Sequence, residues 1–186
     1  FRAEKSKTRR HLIEFWMMEP EWAFALLDDV IELAQNLLVY VVETVLESRK
    51  NELDTLERDR SALEKIKSPF PRITYDEAFD ILKKSGKSET PYGQDLGGTD
   101  ETIISSNFEK PVVITHYPAD IKAFYMQPDS QDPSKVLCVD IIAPEGYGEL
   151  IGGSQRIHDY DLLIKRIKEH RLSPDVFRWY LDLRRF

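Results

Sequence analysis

Two β-rich runs joined by a short connection constrain this chain more than any other feature. The first, Lys135 to Ile142, carries Val136-Leu137-Cys138-Val139-Asp140-Ile141-Ile142, a greasy stretch interrupted by one carboxylate. Only Ala143-Pro144-Glu145-Gly146 separates it from the second, Tyr147 to Ile157. A helical crossover needs a dozen or more residues, so the second run is expected to fold back beside the first as an antiparallel neighbour. Pro111-Val112-Val113-Ile114-Thr115 is β-branched throughout and reads as another buried strand.

Helical periods occupy the remainder. Leu27, Val30, Ile31, Ala34, Leu37, Leu38, Val41, Val42, Val45 and Leu46 repeat at helical spacing and predict one long core helix. Leu53, Leu56, Leu63 and Ile66 continue the period through a highly charged stretch, with a break expected before Ser68-Pro69-Phe70-Pro71. Thr74 and Glu77 form a capping-box pattern ahead of Ala78, Phe79, Ile81 and Leu82, a helix that should end near Ser85-Gly86. Lys87 to Gly98 reads as a loop, and Thr99-Asp100-Glu101 opens a short helix toward Phe108. Asp159 caps a helix through Ile167, and Ser173-Pro174 opens the last one. Strands in hairpins with helices gathered elsewhere predict an α+β fold, an antiparallel β-sheet flanked by helices.

At 186 residues the chain is long enough for one domain, 1–186, with a substantial core. The net charge of -7 excludes a protein that coats nucleic acid by bulk charge, leaving room for local basic patches. Cys138 is the single cysteine, so no internal disulfide can form, and it reads as a small buried side chain. Leu33 to Leu46 is broken by Gln35, Asn36, Glu43 and Thr44 and is too short to span a bilayer; with no secretory signal, the expectation is a cytoplasmic protein without a membrane partner. There is no Gly-x-Gly-x-x-Gly, no Walker loop and no zinc-ligand spacing.

Several residue sets carry candidate chemistry. Arg2 and Glu4 share a face if Phe1-Arg2-Ala3-Glu4 is a strand, and His11 and Phe15 can share it on a return strand past the basic loop Lys5 to Arg10. A guanidinium, a carboxylate and an aromatic ring so placed suit a triphosphate and a purine; the alternative is an ordinary hairpin with a solvated cationic turn. Burying Asp140 without a partner is costly. Folded back alongside Glu149, it makes an oxygen pair fit for Mg²⁺; alternatively it pairs with an Arg or caps a turn. Arg156 offers a planar fork for planar oxygens, or an ion pair to Asp159 or Asp161. His116, Tyr117 and Lys122 flank the turn after the Pro111–Thr115 strand and could line the same pocket.

Phe1-Arg2-Ala3-Glu4, the loop and His11-Leu12-Ile13-Glu14-Phe15-Trp16-Met17-Met18-Glu19-Pro20-Glu21-Trp22-Ala23-Phe24 resemble motif 2 of class II aminoacyl-tRNA synthetases, in the aspartyl/asparaginyl subgroup. Glu14 to Glu21 resembles the asparaginyl, archaeal-type members more than the aspartyl ones. A second match runs through Thr115-His116-Tyr117-Pro118 to Met126, then Val139-Asp140, then Gly148 to Asp159. The resemblance extends from Phe1 to Phe186 and implies a class II catalytic domain that activates asparagine with ATP to an adenylate and transfers it to tRNA(Asn). It also implies a homodimer. A free-asparagine synthetase acting on aspartate, ATP and ammonia would keep nearly the same motifs; aspartyl transfer to tRNA and a non-catalytic module are further alternatives.

Carried over residue by residue, the resemblance makes Arg2 and Glu4 catalytic. It places Arg2, Glu4, Arg10, His11, Phe15, Asp140 and Glu149 around ATP, with Phe15 stacked on adenine and Asp140 and Glu149 holding Mg²⁺. Arg156, Ser154, Tyr117 and Lys122 fall to the amino acid, asparagine or aspartate. Glu149 and Arg156 are seven residues apart, so a regular strand sends them to opposite faces, whereas the family holds the matching pair in one pocket. A bulge or kink is therefore expected between Gly152 and Arg156. The start inside a motif, without Met, suggests part of a longer chain, with a dimer-forming motif and an amino-acid-binding loop expected before it and a Gly-rich motif after it.

Overall fold

A computed structural model of the chain describes residues 12–185. Its elements are α1 (Leu27–Ser48), α2 (Lys50–Thr55), α3 (Arg60–Glu64), β1 (Arg72–Thr74), α4 (Tyr75–Ser85), α5 (Gly98–Ser105), β2 (Val112–Thr115), β3 (Cys138–Ala143), β4 (Gly148–Ser154), α6 (Tyr160–Glu169) and α7 (Arg178–Asp182). The strands form one sheet in the order β1-β2-β3-β4. As the short connection requires, β3 and β4 are antiparallel, and so are β2 and β3. The three-residue β1, too short to show a period, pairs parallel to β2 and makes the sheet mixed.

Alternation along the strands builds two cores. Val113, Val139 and Ile141 point to one face, where Leu27, Ile31 and Ala34 of α1 cover them together with Ile66 and Phe70. Val112, Ile114, Cys138 and Ile142 point to the other, packed by Tyr75, Ala78 and Leu82 of α4 and Ile104 of α5. Fully burying one such aliphatic side chain contributes about 1.5–3 kcal/mol, so the paired faces carry the sheet. A third cluster joins Ile157 to Leu163, Ile167 and Leu181 of α6 and α7.

Local signals account for most helix ends. Thr74 Oγ1 accepts from the Glu77 amide at 3.2 Å and Glu77 Oε2 accepts from the Thr74 amide at 2.7 Å, the reciprocal cap expected for α4, and Gly86 closes that helix at φ 63°. Asp159 caps α6 through the Leu162 amide at 2.7 Å. The long first helix breaks earlier than its apolar period suggests, at Arg49 and again before Asp59, whose carboxylate caps α3 through the Ser61 amide at 2.9 Å. From Leu12 to Leu26 the chain is neither helix nor strand. No strand among the described residues pairs with this segment, in which Leu12, Ile13, Trp16, Met17 and Met18 are exposed; Phe1–Glu4, the expected partner of the return strand carrying Phe15, lies outside the described residues.

Candidate active site

The β3–β4 ribbon breaks its regular register between Ile141 and Ile142. Ile141 pairs with Ile151 but Ile142 pairs with Glu149, which leaves Leu150 as an extra residue. This bulge resolves the parity problem at a different place from the one expected, upstream of Gly152 rather than between Gly152 and Arg156. Past the bulge, Glu149 falls on the same face as Gly152, Ser154 and Arg156, and that face also carries Asp140, whose register partner is Gly152. An isolated bridge between Met126 and Arg156 prolongs the ribbon beyond Ser154.

Gly152 is the floor of the first cluster. A Cβ there would stand 2.7 Å from Glu149 Oε1 and 3.6 Å from Asp140 Oδ1, so both carboxylates reach into the space a side chain would fill. Lys122, from the long β2–β3 connection, brings its Nζ to 3.0 Å from Asp140 Oδ2, 3.2 Å from Asp95 Oδ1 and 4.0 Å from the centre of the Tyr117 ring. Tyr117 is only 1% exposed and lies beneath this cluster rather than at its surface.

Charge follows from this crowding. Although Glu149 as a residue is exposed, desolvation of its carboxyl, and next the facing Asp140, push that group up to about 7, against the pull of Lys122. Burial would lower the Lys122 ammonium, but Asp140 and Asp95 outweigh it and hold it at about 12. Burial, then Asp140, raises the Tyr117 phenol, and Cys138, buried and free, is raised to about 11 by burial. Two hard oxygen donors, mutually repelling and leaning over a side-chain-free position, fit a divalent cation that takes its other ligands elsewhere. Among the described residues no group of three or more His, Cys, Asp or Glu is placed to hold a metal ion, so the pair would need outside oxygens to complete a shell. Of the sequence alternatives for Asp140, an ion pair is present, to Lys122 rather than to an Arg.

The second cluster surrounds Arg156, four residues further along the ribbon, about 13 Å at strand rise. Its Nη2 donates to Glu21 Oε2 at 3.3 Å, its Nη1 to Ser154 Oγ at 3.3 Å, and its guanidinium carbon sits 4.3 Å from the centre of the Tyr125 ring. Burial would lower the Arg156 guanidinium, but Glu21 and then Tyr125 raise it, so it stays charged. Asp159, one suggested partner of Arg156, is engaged in capping α6.

The structure thus brings together Asp140, Glu149, Lys122 and Tyr117, and separately Arg156 and Ser154. Phe15 is 41% exposed in the irregular segment ahead of α1. Arg2, Glu4, Arg10 and His11 lie outside the described residues. Sequence reasoning missed Glu21, Tyr125 and Asp95. Glu21 and Tyr125 stood inside the quoted motif segments, while Asp95 in its polar loop carried no signal of its own.

The family model for tRNA synthetases class II (D, K and N) matches residues 1–186. An asparagine–tRNA ligase of Koribacter versatilis is 56% identical across the whole chain, which spans 43% of that protein. The crystal structure of asparaginyl-tRNA synthetase from Pyrococcus horikoshii complexed with asparaginyl-adenylate superposes over the whole chain with a TM-score of 0.95 at 49% identity, again over 43% of its length. The Entamoeba histolytica asparaginyl-tRNA synthetase in complex with asparaginyl-adenylate gives a TM-score of 0.87 at 30% identity, covering the whole chain and 43% of that one. With the family model spanning every residue and relatives more than half identical throughout, this chain belongs to the class II tRNA synthetases (D, K and N).

Proposed function

We propose that the complete protein activates asparagine with ATP and transfers it to tRNA(Asn), as an asparagine–tRNA ligase, with residues 1–186 forming one part of its catalytic domain. The observation that carries the choice of amino acid is the pairing of Arg156 with Glu21. A carboxamide presents one acceptor and one donor on a planar group; the guanidinium serves its oxygen and the carboxylate takes its N–H. An aspartate side chain would satisfy Arg156 but meet the Glu21 carboxylate with like charge. Relatives named as asparagine–tRNA ligases support the same reading over free-asparagine synthesis.

The site works by position and charge. Ser154 and the Tyr125 ring hold the Arg156 fork in place for the amino-acid side chain. Further along the ribbon, Asp140 and Glu149 would hold Mg²⁺ with their oxygens over Gly152. Such an ion neutralises phosphate charge as the nucleotide reacts. Lys122 and Tyr117 back this pair from below, and by resemblance we assign Arg2 to the α-phosphate, Arg10 and His11 to the outer phosphates, Phe15 to adenine and Glu4 to its amine or the attacking end. The amino acid's carboxylate then attacks the α-phosphorus and pyrophosphate leaves; in the second step the terminal ribose hydroxyl of tRNA attacks the activated carbonyl, the mixed-anhydride bond breaks and AMP leaves. The same resemblance supports a homodimer, and no helix among the described residues is long and apolar enough to cross a membrane.

The test is amino-acid-dependent pyrophosphate exchange by the complete protein, with asparagine and aspartate in parallel, followed by charging of tRNA(Asn). Exchange is expected with asparagine, and Glu21→Gln should reduce discrimination against aspartate about tenfold or more. Equal exchange with aspartate by the unaltered protein would refute the choice of amino acid.

A further inference from the structure

Lys122 sets a positive charge beside the Asp140–Glu149 pair. Its ammonium is 3.0 Å from one oxygen of Asp140, and its side chain is only 13% exposed, so the pair is little screened by solvent. A divalent ion settling on Asp140 and Glu149 must therefore displace, or lie beside, a fixed positive charge. The same ammonium also has an alternative acceptor. Asp95 Oδ1 is 3.2 Å away on a side chain 64% exposed, and the Tyr117 ring lies under the nitrogen at 4.0 Å, so Lys122 can release Asp140 without losing all its partners.

That second acceptor is held in place. Asp100, 3% exposed, accepts from Ser88 Oγ at 2.6 Å, Thr90 Oγ1 at 2.7 Å and the Gly97 amide at 3.0 Å, which fixes both ends of the loop carrying Asp95. The Tyr75 hydroxyl fixes its middle, donating to the Gln94 carbonyl at 2.8 Å and accepting from the Gly93 amide at 3.0 Å. Nothing in the apolar packing requires a lysine between two carboxylates, whereas an ammonium shared between a site oxygen and a fixed outer one suits an exchangeable counter-ion.

We propose that Lys122 is a positioning residue that acts as a resident counter-ion, keeping the Asp140–Glu149 pair from capturing a free divalent cation and yielding Asp140 to one that arrives with nucleotide phosphates. The inference rests on Asp140 and Glu149 being cation ligands. Phosphate oxygens add the negative charge that tips the balance: the free ion meets a site whose charge is partly cancelled, and the phosphate-bound ion brings further oxygens with it.

Mn²⁺ binding to the complete protein, followed by electron paramagnetic resonance, tests this without turnover. In the absence of nucleotide, Lys122→Met should bind Mn²⁺ about tenfold more tightly than the unaltered protein, as expected when one nearby like charge is removed. Lys122→Arg, which keeps the charge, should stay within about threefold of the unaltered protein. In the presence of a non-hydrolysable ATP analogue the difference between Lys122→Met and the unaltered protein should shrink. If Lys122→Met does not fold, Lys122→Gln is read in the same way. Mn²⁺ affinity that is unchanged or weaker in a folded, uncharged variant overturns the counter-ion role alone. Should Asp140→Asn and Glu149→Gln leave Mn²⁺ binding intact even with the analogue present, the cation reading fails and this inference with it.

Discussion

Gly152 and Gly153 are neighbours in β4, yet each lacks a side chain because of a different face of the sheet. On the α1 face, a Cβ at Gly153 would meet Val30 Cγ1 at 3.3 Å and Val139 Cγ1 at 3.4 Å, both branched apolar groups in a packed core. On the opposite face, a Cβ at Gly152 would meet the Glu149 carboxylate at 2.7 Å, the end of a side chain that can swing away. At Gly153 volume is excluded for the sake of packing; at Gly152, on a face that is also packed around Cys138 and Ile142, space is kept open for chemistry. The same division runs along β3, where Val139 and Ile141 are core and Asp140 between them is a site residue. The lesson is that the ribbon's stability and its function can be perturbed separately, one residue apart.

The strongest challenge to that separation is Ile141→Ala. Ile141 is fully buried on the α1 face, so truncation should cost about 3 kcal/mol in denaturant unfolding of the complete protein. Mn²⁺ affinity of the protein that remains folded should hardly change, and a large loss would show that the faces are coupled. The adjacent glycines sharpen the contrast at smaller amplitude. Gly153→Ala should destabilise by about 1–2 kcal/mol through overpacking, with Mn²⁺ binding retained. Gly152→Ala should cost under about 1 kcal/mol because the carboxylate can move aside. Its Mn²⁺ affinity should nevertheless fall about tenfold, since the oxygens lose their shared position.

The smallest effect expected is in the pH dependence of stability without divalent ions. Glu149 is raised from 4.5 to about 7 by burial and by Asp140, so between those values the folded protein holds a proton that the unfolded chain has released. Stability from this group is therefore greatest below about pH 4.5 and falls as pH rises through 7. Solvent reaches part of the side chain and screens the effect. Glu149→Gln should flatten that part of a Tm-against-pH curve; an unchanged slope would show that the crowding with Asp140 does not act in solution.

Much of the fold was legible because its determinants are local. The short Ala143–Gly146 connection dictated the hairpin, Thr74 with Glu77 and Asp159 announced helix starts, and the apolar period marked α1. β1 was not legible, since a three-residue edge strand exists only through its pairing with β2. The bulge illustrates the same limit within the site: parity and resemblance together demanded a break in the strand, but its place at Leu150 depends on how β4 pairs with β3.

The sequence by itself determined the residue types of the site and the order in which the strands bring them round: two carboxylates on adjoining strands, an arginine beyond a glycine doublet, and motif segments that identify the family. Only the tertiary structure decided the partners. Glu21 meets Arg156 across 135 positions of chain, and Asp95 reaches Lys122 from a loop fastened by Asp100 and Tyr75. Such pairings carry no periodicity and no spacing rule. They arise where packed elements set distant side chains within a few ångströms, and charge then selects which of them stay together.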